Sequence, residues 1–123
     1  MTNAEVGERL CELCREGKNL EAIDELYADD VVSVEAAEGD GPLPRTVEGK
    51  ETVRGKTEWW ANAHEVHDNE VMGPFPHGDD RFAVFFDVDV TNIESDQRFQ
   101  LREVAVYTVA DGHVVREEFY YAM

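Results

Sequence analysis

The alternation of apolar and polar residues is clearest in the C-terminal third of the chain. Two runs rich in β-branched and aromatic residues, 97–109 and 113–121, are separated by a short segment that contains Asp111-Gly112. Asp-Gly between two alternating runs predicts a β-hairpin. Strand side chains alternate between the two faces of a sheet, so Glu103 lies on an otherwise apolar face of the first arm. A glutamate in that position indicates that this residue has a role other than packing in the core.

A third alternating run, Arg81–Thr91, predicts a long strand that pairs antiparallel with Phe99–Val109. Placing Asp87 opposite Arg102 puts two opposite charges together on the outer face of the sheet. This register determines which side chains point inward, because a shift by one residue would exchange the two faces. The predicted inward-facing residues are Phe82, Val84, Phe86, Glu103, Ala105 and Tyr107.

The length of the hairpin turn decides which face of the last strand points inward. A three-residue loop, with Gly112 in the left-handed region, pairs Val109 with His113. A two-residue turn would direct Glu118 and Tyr120 inward instead. We expect the three-residue loop, because it buries a phenylalanine of the last strand. The residues that this loop directs inward are Val115, Glu117, Phe119 and Tyr121.

The N-terminal half shows apolar residues at helical spacings of three and four. A glycine ends the first predicted helix, Asn19 caps the second, and Gly73-Pro74 interrupts a strand. Two helices, a strand, a longer helix and a meander of strands describe one α+β domain, in which a curved antiparallel sheet wraps around three helices. The predicted helices span about Asn3–Arg15, Asn19–Tyr27 and Lys50–Val66, the short strands Val31–Ala36 and Glu70–Phe75, and the loops Glu38–Arg45 and Pro76–Asp80.

Cys11 and Cys14 form a CxxC motif within the first predicted helix. A redox motif needs a preceding strand and a helix that begins at the cysteines, and a zinc site needs a second pair. The sequence supplies neither context. We therefore expect one core thiol and one partly exposed thiol, with no redox or metal function.

Length and charge narrow the classes of function. The chain has 123 residues, enough for one domain with one core and one pocket, and its net charge is -17. Such a charge repels nucleic acid and anionic lipid, so we expect neither nucleic acid nor membrane as a partner. The N-terminus lacks the features of a signal peptide, and no apolar run is long enough to span a bilayer, which predicts a soluble cytoplasmic protein.

The acidic residues are spread along the whole chain, and most of the basic residues are arginines. This pattern suits a protein that stays soluble in concentrated salt, where screening weakens self-repulsion. We therefore hypothesise a salt-loving host and expect added potassium chloride to raise the midpoint of thermal unfolding. An unchanged midpoint would contradict the hypothesis.

Three segments together are typical of a known family: residues 20–32 (LEAIDELYADDVV), residues 47–51 (VEGKE) at the entry to a helix with Trp59-Trp60, and residues 103–109 (EVAVYTV) ahead of the hairpin turn. In these segments the chain resembles the SnoaL-like branch of the nuclear transport factor two superfamily. The resemblance covers nearly the whole chain and implies one domain over residues 1–123. It implies a cone-shaped α+β barrel with a pocket at its open end.

Members of that superfamily include polyketide cyclases, ketosteroid isomerase and plain binding proteins, so the resemblance implies a fold more strongly than a reaction. The isomerase and cyclase branches use an acidic general base in an apolar cavity. The resemblance also implies a homodimer through the outer face of the sheet, where Val104 and Val106 are apolar.

The candidate catalytic residues are Glu103, Glu117 and His64. A carboxylate enclosed by apolar side chains loses hydration, so its pKa rises and it can accept a proton at neutral pH. A tyrosine or a neutral histidine can donate to the enolate oxygen that then develops. These groups favour isomerisation or cyclisation of a small apolar oxygenated molecule by proton abstraction next to a carbonyl. The candidate ligand-binding residues are Trp60, Tyr107, Phe86, Phe119, Tyr121 and Glu35.

No nucleotide-binding glycine loop, nucleophile elbow or metal signature occurs in the sequence, so we expect chemistry without a cofactor or a metal. His64 and His67 have the spacing of a helical HxxH pair, but the sequence indicates no further ligand.

Two alternatives stay open: a binding protein without chemistry, and a dimeric accessory module whose own side chains fill the cavity. In the binding protein, substitution of Glu103 or Glu117 changes ligand affinity alone, and in the accessory module nothing binds. A structural role for Glu103, as the partner of Arg98, Arg116 or His64, is a further alternative.

Overall fold

The computed structural model describes residues 1–39 and 41–122 of the chain. Three helices and six strands follow one another in the order predicted for an α+β domain, with one additional short strand ahead of the third helix. The helices are α1 (Asn3–Arg15), α2 (Asn19–Leu26) and α3 (Lys50–Ala63), and the strands are β1 (Tyr27–Val34), β2 (Thr46–Glu48), β3 (His64–His77), β4 (Arg81–Asn92), β5 (Gln97–Ala110) and β6 (His113–Tyr120).

The six strands form one curved sheet in the order β2-β1-β6-β5-β4-β3, and the helices cover its inner face. The predicted α+β architecture with a curved sheet around three helices is confirmed. One pair departs from the predicted antiparallel arrangement, because β1 runs parallel to β6. The connection between these two strands contains α3 and four further strands, which is long enough to return the chain in the same direction. The sheet is unclosed, and β2 and β3 form its edges.

The first helix forms as predicted. Thr2 caps its N-terminus by accepting a hydrogen bond from the backbone N–H of Glu5, while the Glu5 side chain accepts from the Thr2 backbone. The apolar stripe of α1 is buried against the sheet. Both cysteines of the CxxC lie within this stripe and are buried, so the expectation of a partly exposed thiol is wrong. Burial raises the pKa of Cys11 to about 11 and that of Cys14 to about 12, which keeps both thiols protonated.

The predicted register between β4 and β5 is confirmed over its whole length. Asp87 lies opposite Arg102, and Phe86 lies opposite Glu103. The aspartate accepts from Arg102 Nε at 3.5 Å on the outer face. The inner side of β4 is buried throughout, because every second residue from Phe82 to Val90 packs against the helices.

The hairpin turn differs from the prediction, but the orientation of Glu117 does not. The turn has two residues, Asp111 and Gly112, both with positive φ, and Ala110 pairs with His113. The three-residue loop is therefore wrong. A bulge then adds one residue to β6, because Thr108 pairs with Arg116 although Val109 pairs with Val114. The bulge reverses the alternation beyond Val115, so Glu117 and Phe119 point inward after all, while Val114 takes the buried position predicted for Val115.

Three predicted boundaries are wrong near the edges of the sheet. Helix α3 ends at Ala63, and His64 is the first residue of β3, because the backbone from His64 onward pairs with the far end of β4. Strand β3 spans His64–His77 in place of Glu70–Phe75, and the predicted interruption at Gly73-Pro74 is a register shift between Met72 and Phe75. At the start of α2, the N-cap residue is Lys18, without a side-chain cap, so Asn19 is not the cap.

The strand around β1 also begins and ends earlier than predicted. It covers Tyr27–Val34 in place of 31–36, so Glu35 lies just beyond its end. The predicted loop 38–45 is followed by a strand, β2, that the sequence pattern did not indicate. β2 has only three residues and is held by pairing with β1, for example Ser33 with Val47. Such a short edge strand depends on its partner and has too little alternation of its own to be detected.

The outer face of the sheet carries a row of exposed apolar side chains, Met72, Phe75, Val104 and Tyr120. Ion pairs border this row, including Arg102 with Asp87 and Arg116 with Glu118. The homodimer through this face stays a prediction. None of the helices in the described part of the chain is long and apolar enough to cross a membrane.

Candidate functional site

Glu117 occupies the centre of the inner face, where β1 and β6 meet. It pairs with Ser33 of β1 on one side and with Tyr107 of β5 on the other, and its exposed fraction is 2%. The Tyr27 hydroxyl donates to Glu117 Oε1, and the Ser33 hydroxyl donates to Oε2 at 2.6 Å. Both carboxyl oxygens are thus engaged by hydroxyl donors of β1. Glu117 is a satisfied buried group.

A lysine connects the hydrogen bonds of Glu117 to a second carboxyl, Glu35, which lies just beyond the end of β1. Lys56 Nζ of α3 donates to Ser33 Oγ at 2.6 Å and to Glu35 Oε1 at 2.8 Å. The Tyr121 hydroxyl donates to the other oxygen of Glu35 at 3.1 Å. The result is a continuous hydrogen-bonded chain of six side chains, Tyr27, Glu117, Ser33, Lys56, Glu35 and Tyr121.

Glu103 is the third carboxyl of this region, and we refer to Glu35, Glu103 and Glu117 as the carboxyl cluster. It lies on β5 opposite Phe86 and is half-buried. Within residues 1–39 and 41–122, no side chain donates a hydrogen bond to its carboxyl group and no cation lies within ion-pair distance. Glu103 therefore differs from the other two carboxyls, because its oxygens are free to accept from a bound molecule.

The pKa of Glu103 is raised from its ordinary value of 4.5 to about 7. Burial is the main cause, the negative charges of Glu35 and Glu117 add to it, and the Lys56 ammonium opposes it. Burial also raises the pKa of Glu117, against the lowering effect of hydrogen bonds from Ser33 and Tyr27. A half-buried carboxyl with a pKa near 7 can both accept and return a proton at neutral pH.

Phe119 forms an apolar surface beside the carboxyl cluster. It follows Glu117 by two residues on the inner face of β6 and lies opposite Ala105, which is two residues beyond Glu103 on β5. Lys56 Nζ lies 5.3 Å from the centre of the Phe119 ring, within the range of a cation–π contact. Phe119 is partly buried against the core and is the diagonal neighbour of Glu103 on the inner face, so it lies next to both Lys56 and Glu103.

His64 and Trp60 belong to a separate aromatic group. The two rings stack with their centres 4.4 Å apart, and Phe99 meets His64 edge-on at 6.0 Å. His64 Nδ1 donates to the Trp60 carbonyl at 2.9 Å. In the described chain His64 makes no hydrogen bond to a carboxyl. His67 points elsewhere and bonds to Thr91 Oγ1 at 2.7 Å, so the two histidines do not form a helical pair.

Two predicted ligand-binding residues lie within the hydrophobic core. Phe86 and Tyr107 are buried, and Tyr107 stacks on Phe82 with ring centres 5.0 Å apart. Phe86 lies opposite Glu103 and Tyr107 lies opposite Glu117, so both are core residues next to the carboxyl cluster. Of the nine predicted site residues, the structure places Glu35, Glu103, Glu117, Phe119 and Tyr121 around Lys56, Phe86 and Tyr107 in the core, and Trp60 and His64 in the aromatic group.

The sequence analysis missed Lys56, Ser33 and Tyr27. A signal for Lys56 exists, because it follows the buried Val53 by three residues and precedes Trp60 by four, which places it on the inward stripe of α3. A lone lysine on such a stripe requires acceptors. Ser33 likewise alternates with the buried Val31. That these residues meet depends on how α3 packs across β1, which local periodicity does not encode.

Two surface depressions lie outside the inner face of the sheet. One follows the exposed side of α1 between Ala4 and Glu16, and the other lies at the start of α3 near Lys50 and Arg54. Neither includes a residue of the carboxyl cluster. A pocket at the open end of the cone stays a prediction.

The curved sheet around three helices defines this chain as an α+β protein of the nuclear transport factor two type. The model of the SnoaL-like domain matches residues 1–121, and the chain belongs to that family. A candidate SnoaL-like polyketide cyclase from Mesorhizobium loti is 41% identical, with a TM-score of 0.90 over 98% of this chain and 100% of that one.

More distant structures share the fold. A candidate polyketide cyclase from Pseudomonas putida is 20% identical, with a TM-score of 0.73 over 100% of this chain and 93% of that one. The Δ5-3-ketosteroid isomerase from Mycobacterium sp. is 18% identical, with a TM-score of 0.71 over 98% and 92% of the two chains. No protein with a curated description matches the chain significantly.

Proposed function

We propose that the chain binds a small apolar oxygenated molecule beside Glu103 and that Glu103 transfers a proton within it, without a cofactor. One observation carries the proposal: Glu103 is a half-buried carboxyl without a hydrogen-bond donor in the described chain, and burial raises its pKa to about 7. A general base is most effective when its pKa lies near the working pH.

Glu103 is a better base than Glu117 on geometric grounds. Both oxygens of Glu117 already accept hydrogen bonds from Tyr27 and Ser33, and the residue is inaccessible. A substrate would have to displace these donors to reach it. Glu117 is therefore assigned a supporting role: its charge helps to raise the pKa of Glu103.

The chemistry balances with Glu103 as the only proton carrier. The carboxylate removes a proton from the carbon between a carbonyl and a carbon–carbon double bond, the C–H electron pair forms a dienolate, and the protonated carboxyl returns the proton to the far carbon of the former double bond. The net reaction is an isomerisation. In a cyclisation the enolate carbon instead attacks a second carbonyl of the same molecule, and the alkoxide oxygen formed there takes the proton from the carboxyl. Neither needs an oxidant or a metal.

The description of one relative supports this class of chemistry. The protein that is 41% identical over 98% of this chain is described as a candidate polyketide cyclase. The more distant ketosteroid isomerase shares the fold alone. A binding protein without chemistry is the alternative, and it needs the same site but no exchange of protons.

Proton abstraction can be tested without knowledge of the natural substrate. We expect wild-type protein to speed the exchange of the α-hydrogens of 2-tetralone, a small apolar ketone, for deuterium in D2O, as followed by NMR. Glu103→Gln removes the base and is expected to slow the protein-dependent exchange about tenfold, less than for a natural substrate because the probe lacks most binding contacts. The wild-type rate is expected to rise with pH and to level off above about 7, as the Glu103 carboxyl loses its proton.

The control is Glu94→Gln, the same substitution at an exposed glutamate in the turn between β4 and β5. It is expected to exchange like the wild type. If Glu103→Gln also exchanged like the wild type, the assignment of Glu103 would be wrong. Binding of the ketone without any exchange would support the alternative of a binding protein.

A further inference from the structure

We propose that Lys56 binds the carbonyl oxygen of the molecule at the Glu103 site, and that this molecule is uncharged instead of a carboxylate. The inference rests on the proposed function and adds to it the group that recognises the ligand oxygen and the class of ligand. Lys56 is the lone cation that the described chain places beside the carboxyl cluster.

Lys56 has one hydrogen-bond donor more than the acceptors that surround it in the described chain. A lysine ammonium has three N–H donors. In the described chain, Lys56 Nζ meets two acceptors, Ser33 Oγ at 2.6 Å and Glu35 Oε1 at 2.8 Å. Its side chain is only 14% exposed, so little bulk water reaches it. The third donor therefore has room for one acceptor from a bound molecule, and a buried donor without an acceptor is costly.

Lys56 and Glu103 are both neighbours of Phe119. The ammonium lies 5.3 Å from the centre of the Phe119 ring. Phe119 lies opposite Ala105, so Glu103 is its diagonal neighbour on the same inner face. The ammonium is also near enough to Glu103 to oppose the rise of its pKa, although the two groups form no ion pair in the described chain. One ligand that lies against Phe119 can therefore contact both groups.

The charges around Lys56 and Glu103 favour an uncharged ligand. The carboxyl cluster contains three carboxyl groups and faces one ammonium, which Glu35 already pairs. An anionic ligand would meet Glu35 and Glu103 at close range, and the chain as a whole carries a net charge of -17. A neutral carbonyl compound avoids this repulsion. Charge develops on its oxygen only when Glu103 removes the proton, and the Lys56 ammonium then stabilises that oxygen.

Lys56 is held in place by groups that do not react in this scheme. Ser33 accepts from Lys56 and donates to Glu117, while Tyr121 donates to Glu35. These contacts fix the ammonium from two sides. Preorganised donors stabilise a developing oxyanion without further reorganisation, which is what the position of Lys56 would provide.

The test uses three probes of one shape and size: 2-naphthol, naphthalene and 2-naphthoate. 2-Naphthol is a neutral analogue of an enol, naphthalene lacks the oxygen, and 2-naphthoate carries a negative charge. Equilibrium dialysis is expected to show that wild-type protein binds 2-naphthol more tightly than the other two. Lys56→Met is expected to weaken 2-naphthol binding about tenfold and to leave naphthalene binding unchanged, since one charged hydrogen bond is lost.

Lys56→Gln is the second variant in case Lys56→Met does not fold, as judged by thermal unfolding. Its side chain is uncharged and shorter, and it is expected to show the same selective loss. An equal change for 2-naphthol and naphthalene, or tighter binding of 2-naphthoate by the wild type, would overturn the role of Lys56 while the Glu103 site remains. If the wild type bound neither 2-naphthol nor naphthalene, the proposed function itself would fail.

Discussion

Replacing Glu117 with alanine is expected to lower the free energy of unfolding by about 3 kcal/mol. The substitution removes the acceptor of two buried hydroxyls, those of Tyr27 and Ser33. Each hydroxyl left without a partner costs about 1 to 2 kcal/mol, and the space left by the side chain adds a further cost. Relief from the burial of the carboxyl offsets part of the loss.

The matched control is Glu118→Ala, one residue further along β6. Glu118 points to the outer face, is 32% exposed and pairs with Arg116 at 3.2 Å. An exposed ion pair of this kind contributes little, so the expected loss is within about 0.5 kcal/mol. Chemical denaturation of both variants measures the difference, provided that the slope with denaturant concentration is unchanged.

Glu117→Gln separates the hydrogen bonds from the volume. Glutamine fills the same space, but only one of its terminal atoms accepts, so one of the two hydroxyls loses its acceptor. We expect a loss of about 1 to 2 kcal/mol, between the two alanine variants. Should Glu117→Ala cost no more than Glu118→Ala, the network around Glu117 does not stabilise the fold.

Strand β4 could be predicted from the sequence, because it has one apolar face and one face that carries charged residues. The alternation over β4 and the placement of Asp87 opposite Arg102 determined the register, and with it the inward position of Glu103. Register is specified strongly wherever a one-residue shift would expose the apolar face. Strand β2 was not predicted for the same reason, because its three residues are too few to show an alternation of apolar and polar side chains.

The inward orientation of Glu117 was predicted correctly because two differences between the predicted and the observed hairpin cancel. The turn has two residues instead of three, and a bulge near Val115 adds the residue that the turn lacks. A bulge depends on the partner strand and on the packing beneath it. The buried position of Glu117 is stabilised by donors from β1, a strand more than 80 residues away in the sequence. Local pattern contains no information about such donors.

The candidate site shows the same division between local and long-range information. Glu35, Glu103, Phe119 and Tyr121 were recognised as acidic or aromatic residues on apolar faces, and they lie together. His64 was placed on a helix because the apolar spacing of α3 continues past Ala63, whereas pairing with β4 converts that segment to a strand. Lysine is usually exposed, so Lys56 was overlooked.

The stability of the wild-type protein is expected to fall as the pH rises from about 4.5 to about 7, and Glu103 accounts for part of that loss. The folded protein holds the Glu103 proton up to a pH of about 7, whereas the unfolded chain releases it near 4.5. Below 4.5 both states are protonated, so this stabilising contribution is fully present. Between the two values the folded state binds more protons than the unfolded state, and stability decreases with pH.

The variant Glu103→Gln isolates this contribution, because glutamine stays neutral at every pH. We expect the difference in the free energy of unfolding, variant minus wild type, to be about 2 to 3 kcal/mol higher at pH 8 than at pH 4. The variant is thus relatively more stable at the higher pH. Glu35, Glu117 and Lys56 face Glu103 from their own elements and are present in both proteins, so most of their effect cancels in the comparison. Glu94→Gln, the same substitution at an exposed glutamate, is measured alongside as the control.

A constant difference between Glu103→Gln and the wild type from pH 4 to pH 8 would mean that Glu103 titrates as in water, and it would remove the basis for a base with a pKa near 7. The expected result has a functional reason as well. A carboxylate that destabilises the folded protein above pH 7 is poorly solvated, and a poorly solvated carboxylate gains most by accepting a proton. The loss of stability and the capacity for proton transfer thus have one cause, the burial of Glu103 beside two other carboxyls.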